Sequence, residues 1–509
     1  MTYRRCPKMT VHPRTRSLAP FSRRSAGIAA VSSFVVLMLF AGRYGYHRDE
    51  LYFLACAKRL AWGFVDQPPL TPVFARLSQA VAPGSLVVLR IWPAVFMAIL
   101  IVLTVLTARE FGAHRLGQMT VAVVTATCPG VYAAGHLLST TTLDVLLWVS
   151  LAFLVVRILR TGDVRLWLAA GLVIGIGLLN KWTIGFLVVG LLLGIVLGPE
   201  RRLVANRWFA AGVALALVLW APNLWWQGTH GWPQLQMFVD LQRTNSGLAP
   251  TIAWIPLQFA ITGYLGAVLW ISGLLRLLRT GEGRPYRALG IAYLSLAVTL
   301  GLGAGDKPYY VAGLYFPLMA AGAVSFERWW VRNAGRARRL VVVVALSVLT
   351  LVGMPIVLPI LPASTLADIP LQDINYDLGE QIGWPALARE IGEAWRTLPE
   401  TQRTHAMILT SNYGEAGAIE RYGVDLPTPY SGHNSYWWWA TPPAETTTVL
   451  AVGEFSTAYL RGFFGSVELV GTLDNGLDVE NEEQGQGIWV CREPDAPLPQ
   501  MWANLRHYG

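Results

Sequence analysis

Eleven apolar runs of helical length, near residues 26–43, 86–108, 118–135, 142–157, 166–180, 182–198, 208–225, 251–275, 287–304, 310–326 and 340–361, constrain this chain before any motif does. A backbone inside a bilayer finds no water to bond, so runs of this length read as α-helices that satisfy their own peptide groups. With 54% hydrophobic and only 14% charged residues, the 509-residue chain reads as a polytopic α-helical membrane protein with about eleven transmembrane helices. Asn180-Lys181-Trp182 interrupts what could be one long run and reads as a tight turn between two short spans.

Charge gives the expected orientation. Residues 1–361 hold 33 Lys and Arg, and with a cytoplasmic N-terminus 24 of them fall in the tail and the even-numbered connections, against 9 on the other side. Residues 1–25 then form a basic cytoplasmic tail, 26–361 the membrane module, and 362–509 an extracytoplasmic domain of 148 residues. Ala26 to Gly42 has no small-x-small cleavage pattern and reads as a retained first helix rather than a signal peptide. The overall charge of +9 is no argument for nucleic acid, because it combines +22 in residues 1–361 with −13 in the remainder. In that remainder Thr404–Thr410 and Thr446–Val452 read as buried strands. A helix at 415–422 and strands near 467–473 and 487–491 complete a small mixed α/β domain.

The chain has no phosphate loop of the Walker type, no dinucleotide fingerprint and no His-Glu-x-x-His zinc helix. Cys6, Cys56, Cys128 and Cys491 form no evident framework, so no disulfide is expected. No convincing His/Asp cluster suggests a metal, and neither metal nor cofactor is expected.

What remains is a set of polar residues on the outer face. In the first outer loop, 43–85, the stretch from Gly45 to Phe53 places His47, Asp49 and Glu50 where the first helix ends. A charge beside a bilayer costs roughly 2.5 to 3.5 kcal/mol on insertion scales, so such groups tend to be kept for substrates, ions or protons. The loop continues through Lys58-Arg59 and Trp62-Gly-Phe-Val-Asp66-Gln-Pro-Pro-Leu70, whose mixed spacing suggests interfacial helices broken at Pro68-Pro69. Asp144 follows Ser139-Thr-Thr-Thr142 at the start of the fourth span, where it is either a site acid or a first-turn acid favoured by the helix dipole. Lys181 and Asp306-Lys307-Pro-Tyr309-Tyr310 lie in further outer loops; each lysine could snorkel to anchor its helix or hold a phosphate. Trp225-Trp226 reads as an interfacial belt, with His230 and Arg243 nearby. Tyr413-Gly-Glu415 and Ser431-Gly-His433-Asn434-Ser-Tyr-Trp-Trp-Trp439 form a set suited to sugar recognition, although the three Trp could equally dock the domain on the bilayer or the membrane module.

The acidic pair, the continuation Leu-Tyr-Phe…Trp-Gly-Phe-Val-Asp-Gln-Pro-Pro-Leu70, and the segments Thr142-Leu-Asp144, Leu179-Asn-Lys181 and Gly305-Asp-Lys-Pro-Tyr-Tyr310 together resemble the bacterial glycosyltransferase family 39 proteins of the GT-C superfamily. That superfamily includes protein O-mannosyltransferases, aminoarabinose transferases and Rgt-type lipopolysaccharide glycosyltransferases. The likeness spans most of residues 43–330, and the segments around Ser411 and Ser431 resemble tails in a bacterial branch of the group.

The resemblance implies a GT-C fold in the bacterial plasma membrane. It also implies inverting transfer of one sugar from a polyprenyl-phosphate carrier to an envelope lipid, polysaccharide or protein on the outer face. Asp49 is then the general base, Glu50 its support or an orienter of the acceptor, and Asp144 a group that positions base or sugar. Lys181, Lys307, Arg243 and Arg59 are the candidates for the departing phosphate, and His47, His230, Tyr309, Tyr310, His433 and Asn434 for contacts to substrate. Two other classes stay open: a transporter or flippase for a lipid-linked sugar, and a non-catalytic glycan-binding assembly protein.

Overall fold

The structure is a computed structural model that describes residues 18–508, except 245–247, 304–307 and 334. Each of the eleven apolar runs lies in helix, but not all are alike. Among the described residues seven helices are long and apolar enough to cross a membrane, including Arg23–Phe40, Thr140–Thr161 and Arg207–Thr229. Two shorter apolar helices, Leu166–Leu178 and Ile184–Val196, flank the turn at Asn180-Lys181, where the amides of both residues bond back to the Gly177 carbonyl. The run expected as one span at 118–135 is broken into Arg115–Ala126 and Pro129–His136. Pro129 has no N–H to continue the first helix and instead opens the second, a position that suits its fixed φ.

The first outer loop corrects another expectation. Its two helices, Arg48–Lys58 and Leu70–Val81, do meet across Pro68-Pro69, with Pro69 as the cap residue of the second. Yet Arg48–Lys58 does not lie in the interface: every residue from Glu50 to Ala57 is buried, because the helix is enclosed between the membrane module and the carboxy-terminal domain. It starts with a capping box in which the His47 ring accepts from the Asp49 amide and Glu50 accepts from the His47 amide.

The carboxy-terminal domain carries one five-stranded sheet of order β2-β1-β3-β5-β4, made of β1 (Ala406–Thr410), β2 (Tyr430–Ser431), β3 (Thr448–Gly453), β4 (Phe464–Thr472) and β5 (Gly487–Pro494). β2, β1 and β3 run parallel, while β5 is antiparallel to both of its neighbours. All of β3 and most of β1 are buried, as expected of central strands covered on both faces. The helix Tyr413–Tyr422 after β1 packs on Arg48–Lys58 at very short range. A Cβ at Gly417 would lie 2.9 Å from the Leu51 side chain and 3.1 Å from its backbone, so only glycine permits this approach. This contact sets the position of everything described next.

Candidate functional site

Asp49 and Glu50 are adjacent in sequence but point into different surroundings. Glu50 is fully buried and its oxygens are taken: Arg90 reaches both, from Nε at 3.1 Å and Nη2 at 2.8 Å, and the amides of Leu138 and His47 add two bonds at 3.0 Å. Arg90 also donates to the carbonyls of Ala41 and Gly45 and to Gln381 Oε1. The pair is therefore a junction that ties the first loop to the second span, the second outer loop and residue 381. Glu50 has no face left for an acceptor, which corrects the expectation that it orients one.

Asp49 is only partly buried. Its Oδ1 accepts from the Tyr413 hydroxyl at 2.8 Å, across 364 positions of sequence. Burial, then the Asp49 charge, holds the Tyr413 phenol well above its ordinary range, so it stays a neutral donor. A second acid stands beside it. Asp66 Oδ1 accepts from Tyr52 at 2.8 Å, and the Tyr52 and Tyr413 rings stack at 4.6 Å, so two carboxylate–phenol pairs sit side by side. Burial pushes the Asp66 carboxyl up to about 7, with Asp49 adding to the rise.

Because the folded-state value exceeds the ordinary carboxyl value, the folded protein holds the extra proton, and stability is lost as pH rises from about 4 to about 7. Asp66→Asn is accordingly expected to unfold at a higher temperature than wild type at pH 8, with the difference vanishing toward pH 4 in thermal unfolding curves.

The other acid, Asp144, is buried at the start of its helix and accepts from Trp148 Nε1 at 3.1 Å and from Thr183 Oγ1 at 2.7 Å. Thr183 belongs to the turn that carries Lys181. That turn is held by Leu70 N to the Leu179 carbonyl, by Thr71 to Asn180 Oδ1 and by Asn180 Nδ2 to the Thr140 carbonyl. Lys181 Nζ donates to Thr141 at 3.1 Å and lies 5.4 Å and 5.1 Å from the ring centres of Tyr309 and Tyr310. Tyr309 is in turn within electrostatic reach of Asp49 and Asp377. Acid and ammonium thus belong to one neighbourhood.

The whole chain resembles, at 12% identity and a TM-score of 0.60, the crystal structure of ArnT from Cupriavidus metallidurans bound to undecaprenyl phosphate, covering 92% of this chain and 98% of that one. The oligosaccharyltransferase of Archaeoglobus fulgidus in its apo form matches over 80% of this chain and 64% of its own, at 13% identity and a TM-score of 0.51. Residues 66–226 match the family model described as dolichyl-phosphate-mannose-protein mannosyltransferase. The lipid A galacturonosyltransferase RgtD of Rhizobium johnstonii is 26% identical over 285 residues, 54% of this chain. The chain shares the fold of these two solved membrane proteins. It spans 59% of the length of the curated relative it matches.

Most of the remaining expected residues have partners within the protein. His47 caps the first-loop helix and lies 3.3 Å from Asp377, so it frames the Asp49 backbone rather than opening to a sugar. Arg59 is spent on the domain interface: it pairs with Glu420 at 2.9 Å and its guanidinium lies 4.6 Å from the Trp439 ring, which removes it as a phosphate ligand. His433 and Asn434 are 5% and 1% exposed; the His433 ring lies between Tyr413 at 4.7 Å and His507 at 4.8 Å, and burial keeps it neutral. The His433 ring supports Tyr413, and both residues are enclosed within the domain.

The Trp437-Trp438-Trp439 run resolves likewise, since Trp439 packs on Tyr52 and Phe64 and Trp438 on His230, so it docks the domain on the membrane module. His230 itself stacks on Trp226 at 4.1 Å, while Trp225 remains exposed. Lys307 lies outside the described residues, as does the side chain of Arg243.

Arg90 escaped the sequence reading, while Asp66 entered it only as part of the first-loop motif and Tyr413 only as one of a set suited to sugar recognition. Arg90 carried a signal, because a guanidinium at the head of an apolar run demands a buried partner. The sequence did not give Asp66 and Tyr413 the roles found here, since those depend on a contact between distant parts of the chain.

Proposed function

We propose that this protein is an integral-membrane inverting glycosyltransferase that moves one sugar from a polyprenyl-phosphate donor to an acceptor on the extracytoplasmic face of the plasma membrane. What supports this reading is a partly exposed carboxylate held by a phenol, together with an ammonium that lies over the rings of two tyrosines. Attack on an anomeric carbon needs a carboxylate within hydrogen-bond reach of the acceptor hydroxyl, and the departing phosphate needs positive charge. Asp49 is the base: Tyr413 occupies Oδ1 and fixes the carboxylate. Lys181 serves the phosphate, together with Lys307 and Arg243. Asp144 acts at one remove, fixing Thr183 and so the turn that presents Lys181. The donor bond breaks at the sugar carbon, the acceptor proton passes to Asp49, and polyprenyl phosphate leaves.

The acceptor is an envelope lipid, polysaccharide or protein. The galacturonosyltransferase named for lipid A lends weight to a lipid acceptor, as the undecaprenyl phosphate bound to ArnT does to the donor class. The reaction written here requires no metal or cofactor at the reacting atoms.

Lys181→Met is expected to raise KM for the polyprenyl-phosphate donor at least ~10-fold while leaving acceptor KM within twofold, because the charge-assisted contact removed is worth roughly 1.5 to 3 kcal/mol. The reading as a whole is tested in cells. Deleting the protein should cause one polyprenyl-phosphate sugar to accumulate on the outer leaflet, and a plasmid copy with Asp49→Asn should fail to clear it. Clearance by the Asp49→Asn copy contradicts the proposal.

A further inference from the structure

Behind the Asp49–Tyr413 pair lie three glutamates from two distant segments. Glu380 comes from the short helix Tyr376–Gln381 that follows the last apolar helix, and Glu482 and Glu483 come from the loop between β4 and β5. One carboxylate oxygen from each lies within 4.8 Å of the other two. Acidic clusters on surfaces are common and mean little, but this one is largely enclosed: Glu380 is 2% and Glu483 5% exposed.

On each of these two residues one oxygen is satisfied and the other is not. Glu380 Oε1 accepts from the Glu482 amide at 3.1 Å and Glu483 Oε1 from Asn412 Nδ2 at 3.2 Å, whereas Glu380 Oε2 and Glu483 Oε2 have no hydrogen-bond partner at all. A buried carboxylate oxygen without a partner is costly, and native structures rarely keep two side by side.

Among the described residues one cation, Arg48, contacts the cluster. Arg48 Nη1 contacts Glu482 and lies 3.7 Å from Glu380 Oε2, and its guanidinium also covers the Tyr413 ring. With all three carboxylates ionised, a single guanidinium leaves two negative charges unbalanced, the charge of one divalent ion. Three oxygens at the corners of a 4.8 Å triangle lie about 2.8 Å from its centre, close to the 2.3 to 2.6 Å of calcium–oxygen bonds. An all-carboxylate donor set with no sulfur or imidazole selects a hard cation.

We propose that Glu380, Glu482 and Glu483 bind a calcium ion that clamps the carboxy-terminal domain to the first-loop helix. Arg48 immediately precedes Asp49 and Asn412 immediately precedes Tyr413, so the ion fixes the two backbones that present the base and its phenol. The neighbouring Gln381 joins the Arg90–Glu50 junction, which links the same clamp to the membrane module. This revises the sequence expectation of no metal, and it stands apart from the chemistry, since the ion meets no substrate.

The test uses the purified full-length protein in detergent and no activity assay. Calcium at 1 mM is expected to raise the unfolding temperature by about 5 °C over a chelator, as mass action gives for an ion near 100 times its dissociation constant. Terbium should bind one ion per chain with luminescence sensitised by Trp384, whose Nε1 donates to the Glu380 carbonyl at 3.0 Å, and calcium should displace it. Glu483→Gln should lose both responses. So should Glu482→Gln, whose half-exposed side chain can be changed without disturbing the core. Absence of both responses in wild type, or their persistence in the two variants, overturns the proposal.

Discussion

Asp49→Asn is expected to lower the turnover number for sugar transfer by roughly 10²- to 10⁴-fold, the usual contribution of a positioned general base, with donor KM unchanged. The substitution is nearly isosteric, and an amide oxygen can still accept from Tyr413, so unfolding temperature and the docking of the helix Tyr413–Tyr422 on Arg48–Lys58 should be preserved. What is lost is the capacity to take the acceptor proton as the glycosidic bond forms. Tyr413→Phe separates orientation from basicity: the carboxylate remains but loses its phenolic donor, and a fall of only about 10-fold is expected from one lost charge-assisted bond. Single-turnover kinetics on purified protein check both values, and equal effects of the two substitutions would argue that Asp49 acts through structure alone.

The second large effect concerns stability. Arg90→Met leaves the Glu50 carboxylate fully buried with two amide donors and no counter-charge, a change that costs about 3 to 5 kcal/mol where buried ion pairs have been broken from one side. It also frees the carbonyls of Ala41 and Gly45 and the Gln381 amide. A fall in unfolding temperature of about 10 °C, or loss of recoverable protein, is expected. Replacing both members, Arg90→Met with Glu50→Leu, removes the stranded charge and should recover more than half of the loss. Thermal unfolding of the two variants and the wild type measures this directly. A double variant no more stable than Arg90→Met would mean that the guanidinium's backbone contacts, not the ion pair, hold the junction.

The contrast between Asp49 and Glu50 shows what was and was not legible in the sequence. The apolar runs, the turn at Lys181 and four of the five strands of the carboxy-terminal domain follow from local hydrophobic patterning and turn residues, whereas the two-residue strand Tyr430–Ser431 is too short to show a pattern. The break at Thr127-Cys128 was equally local, since Pro129 is visible in the sequence, but an apolar run of spanning length concealed it.

The division of labour between the two carboxylates was not local. It depends on Arg90 reaching Glu50 from one side and Tyr413 reaching Asp49 from the other, over 40 and 364 positions. Such contacts arise from packing, here from a glycine at 417 that lets two helices touch, and no periodicity in a single chain announces them. The same holds for Arg59 and His433, whose residue types suited a sugar-phosphate site but whose charges and rings are consumed by the interface.

Cleavage of the sugar–phosphate bond is the central claim. Purified protein in proteoliposomes, given polyprenyl-phosphate donors with labelled sugars together with envelope acceptors, should move label to an acceptor with inversion at the anomeric carbon and release polyprenyl phosphate. It should not do so when Asp49 is replaced by Asn. Passage of intact lipid-linked sugar across the bilayer with the bond unbroken, or equal label transfer by the Asp49→Asn protein, would contradict it.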